Sequence, residues 1–294
     1  MTTFTKKLWH STKAGILIPN GNVSEASNRS KTNLLLVKSR AGEIEDLYAD
    51  AGLAISPTCS LAQLIGNAKK SVADEFDAIH LNRLAEAILP LRDVPGKEKY
   101  LNALTSGDLD CFNRRDSYAK NIFWELELWT ILRRGCPSAF LQDPPDIVLS
   151  LLGGTLGVAC KKIYSEKNVE KVLSEAVSQV EGDFNVGVVA LSLDELIPPQ
   201  KVLKVRNKME MDRILHKFTD DFVMRRERHL RKHLSTGRLV SALVSVNVIA
   251  EVLEWKVRFN SARSSLAWTI PELSAEKEAL LNQFREATLD SARA

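Results

Sequence analysis

Long apolar runs are missing from this chain. No stretch approaches the ~20 residues that a membrane-spanning helix needs. Near the N-terminus, Lys6 and Lys7 are followed by Leu8-Trp9-His10 and then polar residues, so no signal-peptide core is expected. Cysteine is sparse: Cys59, Cys111, Cys136 and Cys160 stand far apart with no CxxC pair. That excludes the usual zinc-cluster and disulfide frameworks and suggests reduced thiols in a cytoplasmic protein. Internal repeats, low-complexity tracts and a serine-nucleophile elbow are also lacking. The net charge of +3 over 294 residues is too small to imply a nucleic-acid partner by itself.

What is present is an ordinary globular composition, 45% hydrophobic and 26% charged, long enough for one large domain or two smaller ones. Its charge is uneven. Between Lys201 and Arg263 there are 15 Lys/Arg against 7 Asp/Glu, a local +8 that leaves about −5 elsewhere. Residues 1 to about 33 are polar and aperiodic and are expected on the surface or partly loose. Asn33 to Lys38 is too short for periodicity to choose strand or helix. From Ser60 to about Ser106, Leu61, Leu64, Ile65 and Ala68, then Ile79, Leu81, Leu84, Ala85 and Ile88, recur at helical spacing, punctuated by Pro90 and Pro95-Gly96. This predicts a mainly helical N-terminal region, residues 1–115, with no visible chemistry: either a binding module or a structural extension.

A different organisation is expected over residues 116–294, an α/β unit. A helix over about Ser117–Arg134 leads to a strand at Asp146–Leu152. Gly153-Gly154 then marks a tight hairpin, and a second strand covers Thr155–Lys162. A helix over Val169–Glu181 and a doubly buried strand over Asn185–Leu191 follow. Leu203–Ser235 reads as a long helix, and Leu239–Val252 as a strand that Leu253–Phe259 extends or pairs with. Thr269-Ile270-Pro271-Glu272 resembles the start of a C-terminal amphipathic helix.

Helical phase singles out one acid. At about 100° per residue, Glu125 falls inside the apolar stripe beside Leu128, Trp129 and Leu132, whereas Glu127 shares a polar sector with Thr130, Arg133 and Arg134 and is expected to be solvated. A carboxylate in a core-facing stripe costs several kcal/mol, roughly, unless a cation or donors compensate, so Glu125 is either salt-bridged or a metal ligand. Asp146 opens a strand after Pro144-Pro145, a place where turn chemistry alone also favours aspartate. Strand phase puts Ala159 and Lys161 on one face and Cys160 and Lys162 on the other. Ala176 and Gln179 share a face of the following helix. His229 and His233 lie four apart, but no acid stands between them and the surrounding Arg228, Arg231 and Lys232 oppose a cation.

In this order, Glu125, Pro145-Asp146, Lys161 and Ala176-Val177-Ser178-Gln179 resemble the PD-(D/E)XK nuclease superfamily over about 70 to 80 residues. The resemblance implies a restriction-endonuclease-like fold, a central mixed sheet flanked by helices, and Mg²⁺- or Mn²⁺-dependent hydrolysis of phosphodiester bonds, with DNA as the expected partner and a homodimer compatible. Asp146 would be the principal metal ligand and Lys161 the water-positioning or electrophilic group. Gln179 would orient the site. The departure is Ala159, where the family's second acid stands. Glu125, or Glu175 on the next helix, would have to supply it, making Asp146, Glu125 and Glu175 the expected ligand set. The alternative is an inactive member of the fold acting as a nucleic-acid-binding or scaffold protein. Arg225, Arg226, Arg228, Arg231 and Lys232 are the expected phosphate contacts, although such a run is by default a solvated helix face.

Overall fold

The structure, a computed structural model, describes residues 11–12, 15–16, 20–23, 30–70, 74–180, 184, 186–198 and 202–290. Two short paired strands, β1 (Ser11–Thr12) and β2 (Gly15–Ile16), and an edge strand β3 (Asn20–Val23) precede helix α1 (Ser30–Asp50). The rest of the expectation for residues 1–33 lies outside the described residues. The ambiguous 33–38 run belongs to α1. Helices α2 (Ser60–Lys69), α3 (Glu75–Ile88) and α4 (Lys97–Thr105) follow. Asp74 caps α3 by accepting from the Phe76 N–H at 2.8 Å, and Pro90 and Pro95-Gly96 fall between α3 and α4.

The second half begins with α5 (Tyr118–Gly135). Then come β4 (Phe140–Leu141), β5 (Ile147–Leu151), β6 (Gly154–Lys162), α6 (Val169–Val180), β7 (Val186–Ser192), β8 (Leu203–Val205), α7 (Lys208–Leu234), β9 (Leu239–Val252), β10 (Phe259–Trp268) and α8 (Ala275–Asp290). The sheet is mixed, in the order β3-β10-β9-β7-β6-β5-β4, with β8 also paired to β9. Strands β6, β7 and β9 run parallel, and β5 and β10 flank them antiparallel. The β5–β6 hairpin turns at Gly153 and Gly154 with φ of +99° and +153°, the backbone region for which glycine is needed. The α/β class and the helical N-terminal region expected from the sequence are both present.

Alternation along the strands divides the interior in two. Val188 and Ala190 of β7 join Leu156 and Val158 in a core covered by α1–α5 and α8; Val189 and Leu191 join Ala159 in a second core under α6 and α7. The first core runs without interruption from the N-terminal helices into α5 and the sheet. The boundary expected at residue 115 is therefore not a boundary in packing. Helix α5 sits between the N-terminal helices and the sheet and is buried on most sides. At its end, a Cβ on Gly135 would lie 2.3 Å from the Ala287 carbonyl oxygen, so glycine is what lets α8 approach.

Three expectations change. Leu203–Val205 is a strand and the long helix starts only at Lys208, where Asn207 Oδ1 accepts from the Glu210 N–H at 2.9 Å. Residues 253–258 turn the chain, and the partner strand of β9 starts at Phe259. Thr269 is no helix cap: its hydroxyl donates to the Val240 carbonyl at 2.5 Å, and α8 begins at Ala275 behind Ser274.

Candidate active site

The loop before β5 carries Asp143-Pro144-Pro145-Asp146. The Gln142 N–H closes it on the Asp146 carbonyl at 3.1 Å, and both X-Pro bonds are cis. Pro145 packs over Gly157 of β6, where a Cβ would stand 3.0 Å from Pro145 Cγ and 3.1 Å from Phe184. That fit holds Asp146 against β6. Its Oδ2 accepts from the Cys160 N–H at 2.5 Å, and the Ile147–Val158 register brings Asp146 beside Ala159.

Asp146 and Glu125 are both buried, 9% and 7% exposed. Burial raises the Glu125 carboxyl to about pH 9, reinforced by the negative charges of Asp146 and Asp143 and opposed by Lys99 and Lys161. Asp146 is raised too, by burial first; the Cys160 N–H and Lys161 oppose the shift. The side chains of Glu125 and Lys161 make no hydrogen bond or ion pair among the described residues, and the charge of Lys161 acts on both carboxylates. Asp146, from the loop before β5, and Lys161, from β6, therefore both act on Glu125 of α5.

The structure adds members that the sequence did not reveal. Tyr100 of α4 is buried, with a hydroxyl that has no hydrogen-bond partner among the described residues. Its pKa is raised by burial and then by Glu125, Asp143 and Asp146. Lys99 stacks its ammonium 4.6 Å from the Tyr100 ring centroid. Cys160 is held as a thiol by burial and by Asp146 and Glu125. Asp143 was visible in the sequence only as a turn residue. Tyr100 and Lys99 come from a region in which no motif pointed to chemistry.

Other expected residues are not brought here. Glu175 is exposed on α6, where it pairs with Lys171 at 3.7 Å; it is not among the charges acting on Glu125 or Asp146. Gln179 is half-buried with an unpartnered Oε1, and no hydrogen bond joins it to Asp146 or Lys161 among the described residues. Ala159 is fully buried in the α6/α7 core, so the missing acid's position is filled by apolar packing.

Glu127, expected in solvent, is buried instead. It takes a bidentate pair from Arg83 at 2.9 and 3.0 Å and a third contact from Arg263 at 2.7 Å, which hold its carboxyl below the ordinary range against the cost of burial. The polar sector of α5 is polar because α3 and β10 bring cations to it, which a single helix's phase does not register.

The basic run on α7 is largely committed within the chain. Arg225 and Arg226 bind Glu166 at 2.8 and 2.7 Å, Lys232 binds Glu170 at 3.4 Å, and Arg231 reaches Glu227 and Glu272 at 3.9 and 3.7 Å. Arg228 is exposed, without such a pair among the described residues. These cations tie α7 to the segment before α6 and to α6 itself. No helix among the described residues is long and apolar enough to cross a membrane. Comparison of the chain with family models, curated proteins and solved structures yields no match.

Proposed function

We propose that this protein is a metal-dependent nuclease with a variant PD-(D/E)XK site, hydrolysing phosphodiester bonds in DNA. One observation carries the reading: Asp146 raises the pKa of a second buried carboxylate, Glu125, while Lys161, whose charge acts on both, is unpaired among the described residues. Structural carboxylates are normally neutralised, as Glu127 is. A buried carboxylate left beside another with no cation paired to it is the condition that a bound cation relieves.

The donor set fits a hard divalent cation. Among the described residues no group of three or more His, Cys, Asp and Glu is arranged to hold a metal. Mg²⁺, however, commonly takes one or two carboxylates and completes its shell with water and phosphate oxygens. Asp146, which keeps Oδ1 free of the Cys160 contact, and Glu125 are the residues that would hold it. When bound, such an ion lowers the pKa of its water and offsets charge on the phosphate.

The chain's own groups do the rest. The Cys160 N–H fixes the Asp146 carboxylate. Lys161 offers its ammonium to charge developing on the phosphate oxygens or to the attacking water. The Tyr100 hydroxyl is a free donor next to the carboxylates. Glu125 keeps its proton near neutral pH and would have to lose it to serve as a ligand.

The competing reading is a nucleic-acid-binding or scaffold protein without cleavage. It is favoured by Ala159, whose lost acid Glu175 does not replace. Cleavage of single- and double-stranded DNA with Mg²⁺ or Mn²⁺, against EDTA, decides between them. Asp146→Asn and Lys161→Met are each expected to lose roughly 100-fold or more in rate. Equal cleavage by wild type and both variants would exclude this site as its source, and absence of cleavage under all these conditions would favour the binding reading.

A further inference from the structure

A second polar centre lies apart from Glu125 and Asp146, beyond the carboxyl ends of the parallel strands β6 and β7, where open α/β sheets commonly receive ligands. Lys162 ends β6, Ser192 ends β7, and Asp194 and Glu195 follow at once. The middle of β9, at Asn247 to Ile249, forms one side of the cavity. The N-terminal region closes it with Ile79, His80 and Arg83 of α3 and with the 109–114 loop, and α5 adds Lys120 and Phe123.

Four cationic side chains, Arg83, Arg114, Lys120 and Lys162, line this cavity with only two carboxylates, Asp194 and Glu195. The carboxylates are shared at long range: Lys162 lies 3.7 Å from each, Lys120 3.9 Å from Glu195, Arg114 3.3 Å from Glu195, and Arg83 3.5 Å from Asp194. Outside the lining stand Arg263 and Glu127, and Asp108 and Asp110, whose charges reach Lys120 and His80. Lys120 is 3% exposed and Lys162's side chain 6%, so both are withdrawn from bulk water; Lys120 donates to the Asn113 carbonyl and Lys162 to Ser192 Oγ at 3.2 Å. Phe112, Phe123 and Val248 make the remaining wall apolar, which strengthens any charge interaction within it.

Two polar atoms in this wall are unused. His80 is 6% exposed; its Nε2–H donates to the Leu109 carbonyl at 2.6 Å, and Nδ1 has no partner among the described residues. Arg114 Nε is buried and also unpartnered. The cavity holds about 60 Å³. At roughly 10–15 Å³ per water-sized group that is room for four to six such groups, a phosphate but not a whole nucleotide.

We propose that this cavity is a phosphate-binding site, taking the phosphate group of a monoester. Such a group carries about −1.5 to −2 charge at neutral pH, opposite in sign to the four lining cations, and in its monoanionic form presents a P–OH that His80 Nδ1 can accept from. Arg114, at the cavity's edge, supplies the planar fork that phosphate favours, and Lys120 and Lys162 supply point charges from below. The site gives the N-terminal helices a share in binding, and it does not depend on the nuclease reading. The phosphate is either free, as in a small metabolite, or the 5′ end of a nucleic-acid strand.

The test titrates the full-length protein with inorganic phosphate at constant ionic strength, following thermal stability and the ¹⁵N resonances of the histidines. Saturable stabilisation is expected, with the His80 signal moving along the same curve. Arg114→Gln should weaken binding roughly tenfold, Arg114→Lys, which keeps the charge without the fork, should fall between it and wild type, and Arg225→Gln on the far helix should bind as wild type. A parallel arm compares 5′-phosphorylated and 5′-hydroxyl oligonucleotides in EDTA. Tighter binding of the phosphorylated strand, lost in Arg114→Gln, assigns the strand end; equal oligonucleotide binding alongside saturable phosphate binding assigns a free phosphate. No saturable response in wild type, a His80 signal that stays still, or an unchanged affinity in Arg114→Gln overturns the proposal. If Arg114→Gln fails to fold, the wild-type His80 titration decides alone.

Discussion

Replacing Glu125 by glutamine should make the protein more stable, and increasingly so as pH rises. The Glu125 carboxyl has an ordinary value of 4.5 and is raised to about 9 in the folded state. The native protein therefore binds this proton more tightly than the unfolded chain does. Below pH 4.5 the group is protonated in both states and adds nothing. Between 4.5 and 9 the stability of the native state falls as pH rises, by up to about 1.4 kcal/mol per pH unit. At pH 7.5, some three units above the unfolded value, the full cost is about 4 kcal/mol. Relaxation and water entry reduce it, so about 2 to 4 kcal/mol is expected. At pH 5 it is under about 1 kcal/mol. Glutamine keeps the shape, and its amide brings a desolvation cost that does not vary with pH, so the slope of the difference is diagnostic and the offset is not. Because Asp146 titrates beside Glu125, the slope belongs to the pair. Urea unfolding of wild type and Glu125→Gln at pH 5, 6, 7.5 and 8.5 measures it. Millimolar Mg²⁺ should raise the stability of wild type at pH 7.5 and leave the variant nearly unchanged. A stability difference that stays flat from pH 5 to 8.5 would refute the claim that Glu125 is buried among like charges.

Glu127 should behave in the opposite sense. Glu127→Gln removes the shared partner of Arg83 and Arg263 and is expected to cost about 3 to 5 kcal/mol at pH 7 by urea unfolding. Since the Glu127 carboxyl is depressed in the folded state, this contribution is present above its ordinary value of 4.5 and shrinks as pH falls through the folded value; a loss that persists undiminished at pH 3 would contradict the assignment. Glu175→Gln should change stability by no more than about 0.5 kcal/mol, because the residue is exposed and holds only a surface pair. It should also leave any cleavage rate unchanged, and a large loss of rate would restore Glu175 as the substitute acid.

Local pattern was enough for the hairpin, the β7 core strand and most helices, because glycine's positive φ and apolar periodicity are properties of neighbouring residues. It was also enough to mark Glu125, since a carboxylate in an apolar stripe is anomalous whatever packs on it. Phase along one helix was not enough for Glu127. Its environment is made by Arg83 and Arg263, 44 and 136 residues away in the chain, and distant cations leave no trace in the local period. The same holds for Tyr100 and Lys99, which ordinary helical sequence delivers to the carboxylates, and for the cavity around Lys120 and Lys162. In that cavity each cation is ordinary alone, and its meaning lies in the four being brought together around one space. By itself the sequence determined which elements form and which residues are out of place in them. Only the tertiary structure decided which charges meet, because burial and Coulomb interaction depend on distance in space, and strand pairing and helix packing set that distance.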